Sequence, residues 1–130
     1  MPQQPVELIL TKQLASYLTI PIFLVDPEGS LIFYNEPAEA ILGCRYDETG
    51  EMDLETWSSA FTPTDDDGAP LPPERLPLVI ALREHIPAHD RFRIVGLDGV
   101  SRRLAVTAFP VLAQGDRDLG AVALFWAEPE

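Results

Sequence analysis

The spacing of apolar and polar positions predicts an amphipathic helix over residues 5–18. Pro5 suits the first turn of a helix, and the residue before Pro21 avoids helical angles, so the helix ends there. The apolar residues recur every four positions, and the stripe consists of Val6, Leu10, Leu14 and Leu18, with Ile9 and Tyr17 beside it. The chain therefore begins with a helix that has an apolar face.

A strand hairpin that runs directly into a second helix is predicted next. The apolar run "IPIFLVD" is followed by the turn "DPEG" and by the returning strand "SLIFYN". Asn35 ends that strand and is a good N-cap, because its side-chain oxygen can accept the free amides of a first helical turn. Pro37 is tolerated in that turn, and Gly43 is a natural stop.

The middle of the chain has weaker signals. Residues 44–72 lack a strong period, although "LETWSSAF" predicts a short helical turn before the loop "TPTDDDGAPLPP". Residues 74–85, "ERLPLVIALREH", predict a longer helix with one apolar face, and Pro77 limits how early that helix can start.

Three strands complete the pattern: "HDRFRIVG", "SRRLAVTAFPVL" and "LGAVALFW". Strands and helices segregate along the chain rather than alternate, which is typical of an α+β protein with an antiparallel sheet.

The strands differ in pattern. Residues 91–95 alternate polar and apolar, whereas residues 20–25 and 119–126 are apolar at almost every position, as in strands that are buried on both faces. The middle helices can cover one face, which leaves the N-terminal helix or a second copy of the chain for the other. We therefore predict a homodimer with the interface candidates Val6, Leu10, Leu14, Tyr17, Leu18 and Trp126.

Composition narrows the class of protein. A chain of 130 residues with 46% hydrophobic and 23% charged residues is an ordinary single globular domain. A net charge of −12 argues against a nucleic-acid partner. Cys44 is the single cysteine, so an internal disulfide is excluded. With no apolar run of membrane-spanning length and no charged secretion-signal start, we expect a cytoplasmic protein without a membrane partner.

Residues 15–127 resemble the PAS sensory domains. "IPIFLVDPEGSLIFYNEPAEAILG" is similar to the opening hairpin and first helix of that family, "DDDGAPLPPERLPLVIALREH" to the loop and long helix of bacterial members, and "FRIVGLDGVSRRLAVTAFPVL" with "LGAVALFW" to the last three strands. The resemblance implies a five-stranded antiparallel sheet in the order 2-1-5-4-3, with the helices of residues 36–85 closing a pocket on one face. It also implies a bacterial sensor with a helical cap at residues 1–19 and the PAS domain at residues 20–127.

Several departures from the family bear on cofactors and output. Where many PAS domains carry an Asp-x-Thr signature before an output helix, residues 127–129 read "AEP". The sequence is therefore either an excised domain or a stand-alone one that passes its signal to a separate signalling protein, and its ends slightly favour the second. Cys44 lies in "GCRYD", without the G-x-x-C-R-F-L-Q motif of flavin-binding relatives, so flavin is not expected. His85 is a weak haem-ligand candidate, because a histidine in the last turn of a helix is usually solvated. His85 and His89 have no evident third ligand for a metal.

Three functions stay open. A sensory module would bind a small apolar ligand in a pocket lined by Phe23, Val25, Phe33, Ile41, Leu42, Phe61, Leu78, Leu82, Phe92, Ile94, Leu104, Val106 and Leu124. A ligand-free interaction module would use the same residues as a densely packed core. An enzyme of a cone-shaped fold would need a buried acid or base, and no catalytic residue is predicted because the serines lack a nucleophile motif.

Overall fold

The computed structural model describes residues 6–129 and shows an α+β fold. Its α-helices and strands are α1 (Val6–Tyr17), β1 (Ile22–Val25), β2 (Leu31–Tyr34), α2 (Glu36–Leu42), α3 (Tyr46–Thr49), α4 (Leu54–Ala60), α5 (Pro77–Glu84), β3 (Ala88–Val95), β4 (Ser101–Ala113) and β5 (Arg117–Glu128). Short 3₁₀ turns cover Pro73–Arg75 and Gln114–Asp116.

The five strands form one antiparallel sheet in the order β2-β1-β5-β4-β3, as predicted. β5 lies at the centre, where Leu124 is opposite Ile22 of β1 and Thr107 of β4. Residues 119–123 of β5 are all buried, which confirms that this strand is covered on both faces.

The helices depart from the predicted bounds at two places. The helix predicted from residue 74 begins at Pro77, because Pro77 has no amide hydrogen and suits a first turn. The residues before it form a 3₁₀ turn instead. α3 was not predicted, and Pro5, the predicted start of α1, lies outside the described residues. None of the helices within residues 6–129 is long and apolar enough to cross a membrane.

Asn35 connects strand to helix as predicted, and it also binds α1. Its Oδ1 accepts hydrogen bonds from the amides of Ala38 (3.3 Å), which caps α2, and Ile22 (3.0 Å). Its Nδ2 donates to the carbonyls of Ala15 (2.9 Å) and Ile20 (2.8 Å) at the end of α1. The side chain is buried, and these four bonds join α1, β1 and α2.

The sheet separates two apolar layers. The inner layer, under α2, α4 and α5, is a large cluster that includes Phe23, Tyr34, Trp57, Phe61, Leu78, Leu82, Phe92, Leu104 and Phe125. The outer layer, under α1, is small and consists of Leu8, Ala15, Ile22, Leu24, Ile32 and Val122, with Phe33, Val111 and Leu124 packed against it.

Candidate functional site

The inner layer encloses a small apolar cavity. It lies between the sheet and the helices α4 and α5, and its volume is about 80 Å³. The side chains around it are Phe23, Leu42, Trp57, Ser58, Phe61, Pro63, Leu76, Pro77, Leu78, Phe92, Ile94, Leu104, Val106, Ala123 and Phe125. Ser58 is the only hydroxyl among them, and its Oγ donates to the Glu55 carbonyl within α4 (3.3 Å).

Aromatic rings fill much of the space on one side of the cavity. The Phe23 ring is edge-on to Trp57, with centroids 5.2 Å apart, and edge-on to Phe61 at 6.5 Å. The Trp57 indole is fixed because its Nε1 donates to the Gly29 carbonyl at 2.7 Å. Each ring therefore has a defined orientation.

The cavity volume limits what can bind there. Pockets for drug-sized ligands measure roughly 300–1,000 Å³, and an engineered apolar cavity of about 150 Å³ holds benzene. A space of about 80 Å³ therefore suits a molecule of a few heavy atoms. The cavity in this conformation does not fit a haem, a flavin or a fatty acid.

The structure places the predicted pocket residues in three groups. Those that line the cavity are Phe23, Leu42, Phe61, Leu78, Phe92, Ile94, Leu104 and Val106. Val25 and Leu82 lie in the inner core away from the cavity, and Ile41 packs against that core. Phe33 and Leu124 belong to the outer layer, and their assignment to the pocket is wrong.

The alternation of side chains along a strand explains why Leu124 and Phe33 do not face the cavity. Leu124 lies opposite Ile22 and Phe33 lies opposite Leu24, and directly opposed residues project to the same face of a sheet. The neighbours Ala123 and Phe125 face the cavity instead. In a strand that is apolar throughout, no polar residue indicates which of the two alternating series of side chains faces the cavity.

Trp57, Pro63 in the loop after α4 and Pro77 at the start of α5 were also missed as lining residues. Trp57 lies four positions before Phe61, so both project from one side of α4 and its end. That spacing was the available signal for Trp57. Pro63 and Pro77 line the cavity because the loop between α4 and α5 folds back against the core, which no local pattern predicts.

Buried Tyr34 and half-buried Tyr46 are hydrogen-bond donors rather than acid–base groups. Burial raises the pKa of Tyr46 to about 12, with a smaller contribution from the nearby Glu51 charge, and burial also raises the pKa of Tyr34. The Tyr46 hydroxyl donates to the Ile32 carbonyl, and the Tyr34 hydroxyl donates to the Cys44 carbonyl (2.9 Å). These two hydrogen bonds therefore connect α3 and the chain just before it to β2, at the edge of the sheet.

Cys44 and His85 lie outside the cavity. Desolvation raises the pKa of the Cys44 thiol, and its hydrogen bond to Glu48 acts in the same direction, so the thiol stays protonated at neutral pH. His85 is an exposed C-cap residue of α5 with φ 58°, and its Nε2 lies 3.3 Å from Asp118 Oδ2. It does not line the cavity, so its suggested role as a haem ligand does not fit the geometry.

Metal ligands are not clustered either. Within residues 6–129 no three histidine, cysteine or acidic side chains are placed to hold a metal ion.

The outer layer leaves α1 apolar on two opposite sides. Leu8 and Ala15 face the sheet and are buried. Seen down the helix axis at 100° per residue, the stripe of Val6, Leu10, Leu14 and Tyr17 lies on the other side. These side chains are 67%, 57%, 61% and 85% exposed. We call this stripe, together with Leu18 and Trp126, the outer apolar surface. It comprises all six predicted interface residues.

Charged side chains flank this surface. Glu7 of α1 pairs with Arg117 of β5 (2.9 Å), which holds the start of α1 against the sheet. Asp66 belongs to the loop of residues 65–67, which we call the acidic loop. Its carboxylate lies 3.0 Å from Nη2 of Arg103 and 3.9 Å from Nε of Arg93.

Comparison with known proteins identifies the fold. No protein-family model matches the sequence, and a search of curated proteins finds no match. The PAS domain of BvgS from Bordetella pertussis matches 95% of this chain and 87% of its own length, with TM-score 0.64 and 15% identity. A LOV protein from Rhodobacter sphaeroides matches 97% of this chain and 70% of its own length, with TM-score 0.74 and 12% identity.

A third structure agrees with these two. The PAS domain of nitrogen regulation protein NR(II) from Vibrio parahaemolyticus matches 92% of this chain and 98% of its own length, with TM-score 0.62 and 17% identity. At such low identities the likeness concerns the fold. The chain has the PAS fold.

Proposed function

We propose that this chain is a sensory signalling module that self-associates through the outer apolar surface. The observation that carries the proposal is the exposed stripe of α1, because a helix that is apolar on both sides is stable in water only when both sides are covered. The PAS-fold neighbours, one of which is the PAS domain of a nitrogen regulation protein, support the signalling class. We propose residues 1–19 as a helical cap on a domain of residues 20–127.

Charge favours a second copy as the occupant. The chain carries a net charge of −12, so two copies repel one another over most of their surfaces. The outer apolar surface contains no charged side chain, and the nearby Glu7 is paired with Arg117. Two copies that meet through this surface therefore bring the fewest like charges together.

The size of a stable interface requires the sheet as well as the helix. A stable interface buries about 800 Å² on each partner, whereas α1 is only 12 residues long, or roughly 18 Å. Trp126, 47% exposed, and Phe109, 38% exposed, extend the apolar area onto β5 and β4. We include both residues in the proposed interface.

Light scattering after gel filtration at micromolar concentration tests self-association. We expect a mass of twice the 14.4 kDa chain, and the chain mass itself for the double variant Leu10→Glu/Leu14→Glu. Leu97→Glu is the matched control, since Leu97 is similarly exposed in the β3–β4 turn, and it should leave the mass doubled. A single-chain mass for the unmodified protein would refute the proposal.

A small uncharged apolar ligand is the second proposed element of function. It is supported by the apolar lining and the volume of about 80 Å³, which a molecule of a few heavy atoms can fill. The lining contains no titratable side chain, which supports binding rather than catalysis.

Xenon is a suitable probe because dry apolar cavities of this kind bind it. We expect xenon to shift the methyl resonances of Ile94, Leu104 and Val106 but not those of exposed Val100. Ala123→Val, which fills the cavity, should abolish these shifts, whereas Ala127→Val, on the exposed end of the same strand, should keep them. Equal shifts in both variants would show that the cavity is not the binding site.

The separate signalling partner, the cytoplasmic location and the bacterial origin remain predictions from the sequence. A partner that recognises the state of the dimer fits the proposed module.

A further inference from the structure

Helix α4 forms one wall of the cavity and contributes its two largest aromatic side chains on that side. Trp57 and Phe61 line the cavity from α4 and its end, and Ser58 lies beside them. With a volume of about 80 Å³, the cavity is smaller than the apolar cavity of about 150 Å³ that holds benzene. The size of ligand that the cavity can bind therefore depends on whether this wall can move.

The chain on either side of α4 is fixed to the sheet by pairs of backbone hydrogen bonds. Before α4, the Leu31 amide donates to the Met52 carbonyl (2.7 Å), and the Met52 amide donates to the Leu31 carbonyl (3.3 Å). After α4, Thr64 and Arg93 exchange two hydrogen bonds of 2.9 Å. Residues 53–62 lie between these two fixed points, and we call them the α4 segment.

Single hydrogen bonds connect the α4 segment to its surroundings. The Trp57 Nε1 donates to the Gly29 carbonyl in the β1–β2 turn (2.7 Å), and the Val95 amide donates to the Phe61 carbonyl (2.9 Å). Both bonds can break while the backbone pairs on either side stay intact. The α4 segment can therefore leave the sheet without unfolding the chain that flanks it.

Thr62, the last residue of the α4 segment, has a strained backbone. Its φ is 43°, and positive φ angles are strongly unfavourable for a β-branched residue. The Thr62 side chain is exposed, so its burial does not offset this cost. Strain of this kind is found at ligand sites and at points where a chain moves. Rotation of Thr62 to a negative φ relieves the strain and changes the direction of the chain that carries Phe61 and α4.

The apolar rings of the segment favour its resting position when the cavity is empty. Trp57 and Phe61 are only 6% and 5% exposed, and displacement of α4 brings both rings into water at a cost in free energy. An apolar ligand between α4 and the sheet covers both rings again and removes most of that cost. Displacement of α4 is therefore coupled to binding.

We propose that α4 is a movable wall that turns about Thr62 and lets the cavity bind apolar molecules larger than its volume in this structure, of the size of a six-membered aromatic ring. This inference rests on the proposed function, because it takes the cavity as a ligand site. The position of α4 then depends on whether the cavity is occupied.

Hydrogen exchange of the two tryptophan indoles measures the movement in the full ¹⁵N-labelled chain. Trp126 is 47% exposed and is the internal reference. We expect the protection factor of the Trp57 indole to exceed that of Trp126 by at least about tenfold. It should lie at least about tenfold below that of the Val122 amide in the buried part of β5, and it should not change at low urea concentration. Equal protection and equal urea dependence for Trp57 and Val122 would overturn the proposal, because Trp57 would then exchange only in the unfolded chain.

The variant Thr62→Asn tests the turning point. Asparagine tolerates a positive φ better than threonine does, so the variant should favour the resting position and raise the protection of the Trp57 indole about threefold to tenfold. Thr19→Asn is the matched control, since Thr19 is an exposed loop threonine without a positive φ, and it should leave that protection unchanged. Unchanged protection of Trp57 in Thr62→Asn would overturn the proposal.

Benzene and xenon separate the movable wall from the cavity itself. Benzene should give saturable shifts of the Trp57 indole and Ile94 methyl signals. Its apparent affinity should fall about threefold to tenfold in Thr62→Asn but not in Thr19→Asn, because α4 is displaced in fewer molecules. Xenon does not need the displacement and should shift the Ile94 signals equally in both variants. Xenon shifts without benzene shifts would overturn the movable wall alone, whereas the absence of both would also overturn the proposed ligand site.

Discussion

The inner and outer faces of the sheet carry similar apolar side chains but are covered in different ways. On the inner face, α4 and α5 bury a continuous cluster in which Phe23 contacts Tyr34, Trp57 and Phe61. On the outer face, α1 buries only Leu8 and Ala15 and leaves most of its apolar residues in solvent. The inner layer therefore supplies most of the stability of the single chain, and the outer layer leaves an apolar surface exposed.

Polar contacts compensate for the sparse packing of the outer layer. Asn35 donates to the Ala15 carbonyl in the last turn of α1 and to the Ile20 carbonyl just after the helix, and the Glu7–Arg117 pair holds its first turn. Hydrogen bonds fix where the helix lies without burying its far side. A helix positioned in this way can respond to a second copy of the chain, which supports the proposed role in signalling.

The largest expected effect comes from the inner layer. Phe23→Ala removes a buried ring that contacts three other rings, and it should lower the free energy of unfolding by about 3–5 kcal/mol. Phe109→Ala on the outer face is the matched control, and we expect a loss below about 1 kcal/mol in dilute solution because Phe109 is 38% exposed. Urea denaturation of both variants measures the difference. Equal losses in the free energy of unfolding would contradict the conclusion that the inner layer supplies most of the stability of the single chain.

The second effect concerns the polar anchor of the outer layer. Asn35→Ala leaves two buried amides without their acceptor and two carbonyls without their donor, and should cost about 2–4 kcal/mol. Asp53→Ala, which removes the exposed N-cap of α4, should cost about 1 kcal/mol. Hydrogen exchange should show that α1 loses protection in Asn35→Ala only. If α1 stays protected, packing rather than Asn35 holds it.

The third effect is a dependence on alkaline pH. Because burial raises the pKa of Tyr46 from 10.0 to about 12, folding favours the neutral phenol. That contribution to stability is complete below pH 10 and is lost as the pH rises through 12. Tyr46→Phe should cost about 1 kcal/mol at pH 7, through loss of the hydrogen bond to Ile32, and should flatten the fall in stability above pH 10.

Denaturation at pH 7 measures the stability lost with the hydrogen bond to Ile32. Denaturation at pH 11 measures how far the alkaline fall in stability is reduced in Tyr46→Phe. Tyr17→Phe is the control, since Tyr17 is 85% exposed and its change should leave the stability of the single chain unaltered. An unchanged alkaline fall in Tyr46→Phe would show that other groups control it.

Local chemistry in the sequence predicted the strand-to-helix junction at Asn35 correctly, and the resemblance to the PAS domains implied the sheet order that the structure shows. The pocket was harder, because Leu124 and Phe125 are both apolar and only three-dimensional register decides which one faces the cavity. The same limit applies to α1, where four-residue spacing showed an apolar stripe but did not reveal that Leu8 and Ala15, on the opposite side, would contact the sheet. Periodicity identifies a face, whereas the neighbours that cover it are set by tertiary packing.

The smallest expected effect lies at the β3–β4 turn, where an exposed ion pair supports the inner layer. The pKa of Asp98 is lowered chiefly by its hydrogen bond from Arg102, whose Nη1 also donates to the Ile41 carbonyl in the last turn of α2 (2.7 Å). Asp98 therefore contributes stability above its ordinary pKa, and this is lost as the pH falls through the lowered value. Asp98→Asn keeps the oxygen that accepts from the Val100 amide but removes the charge.

We expect Asp98→Asn to lower the melting temperature slightly at neutral pH and low salt. The difference should shrink in high salt, because the pair is exposed to solvent. Asp67→Asn, in the acidic loop, is the control and should show no such difference at either salt concentration. A loss that persists in high salt would mean that Asp98 acts through its turn geometry rather than its charge. The hydrogen bonds of Asp98 would then stabilise the inner layer in the same way as those of Asn35 stabilise the outer layer. The two faces of the sheet would differ in their apolar packing alone.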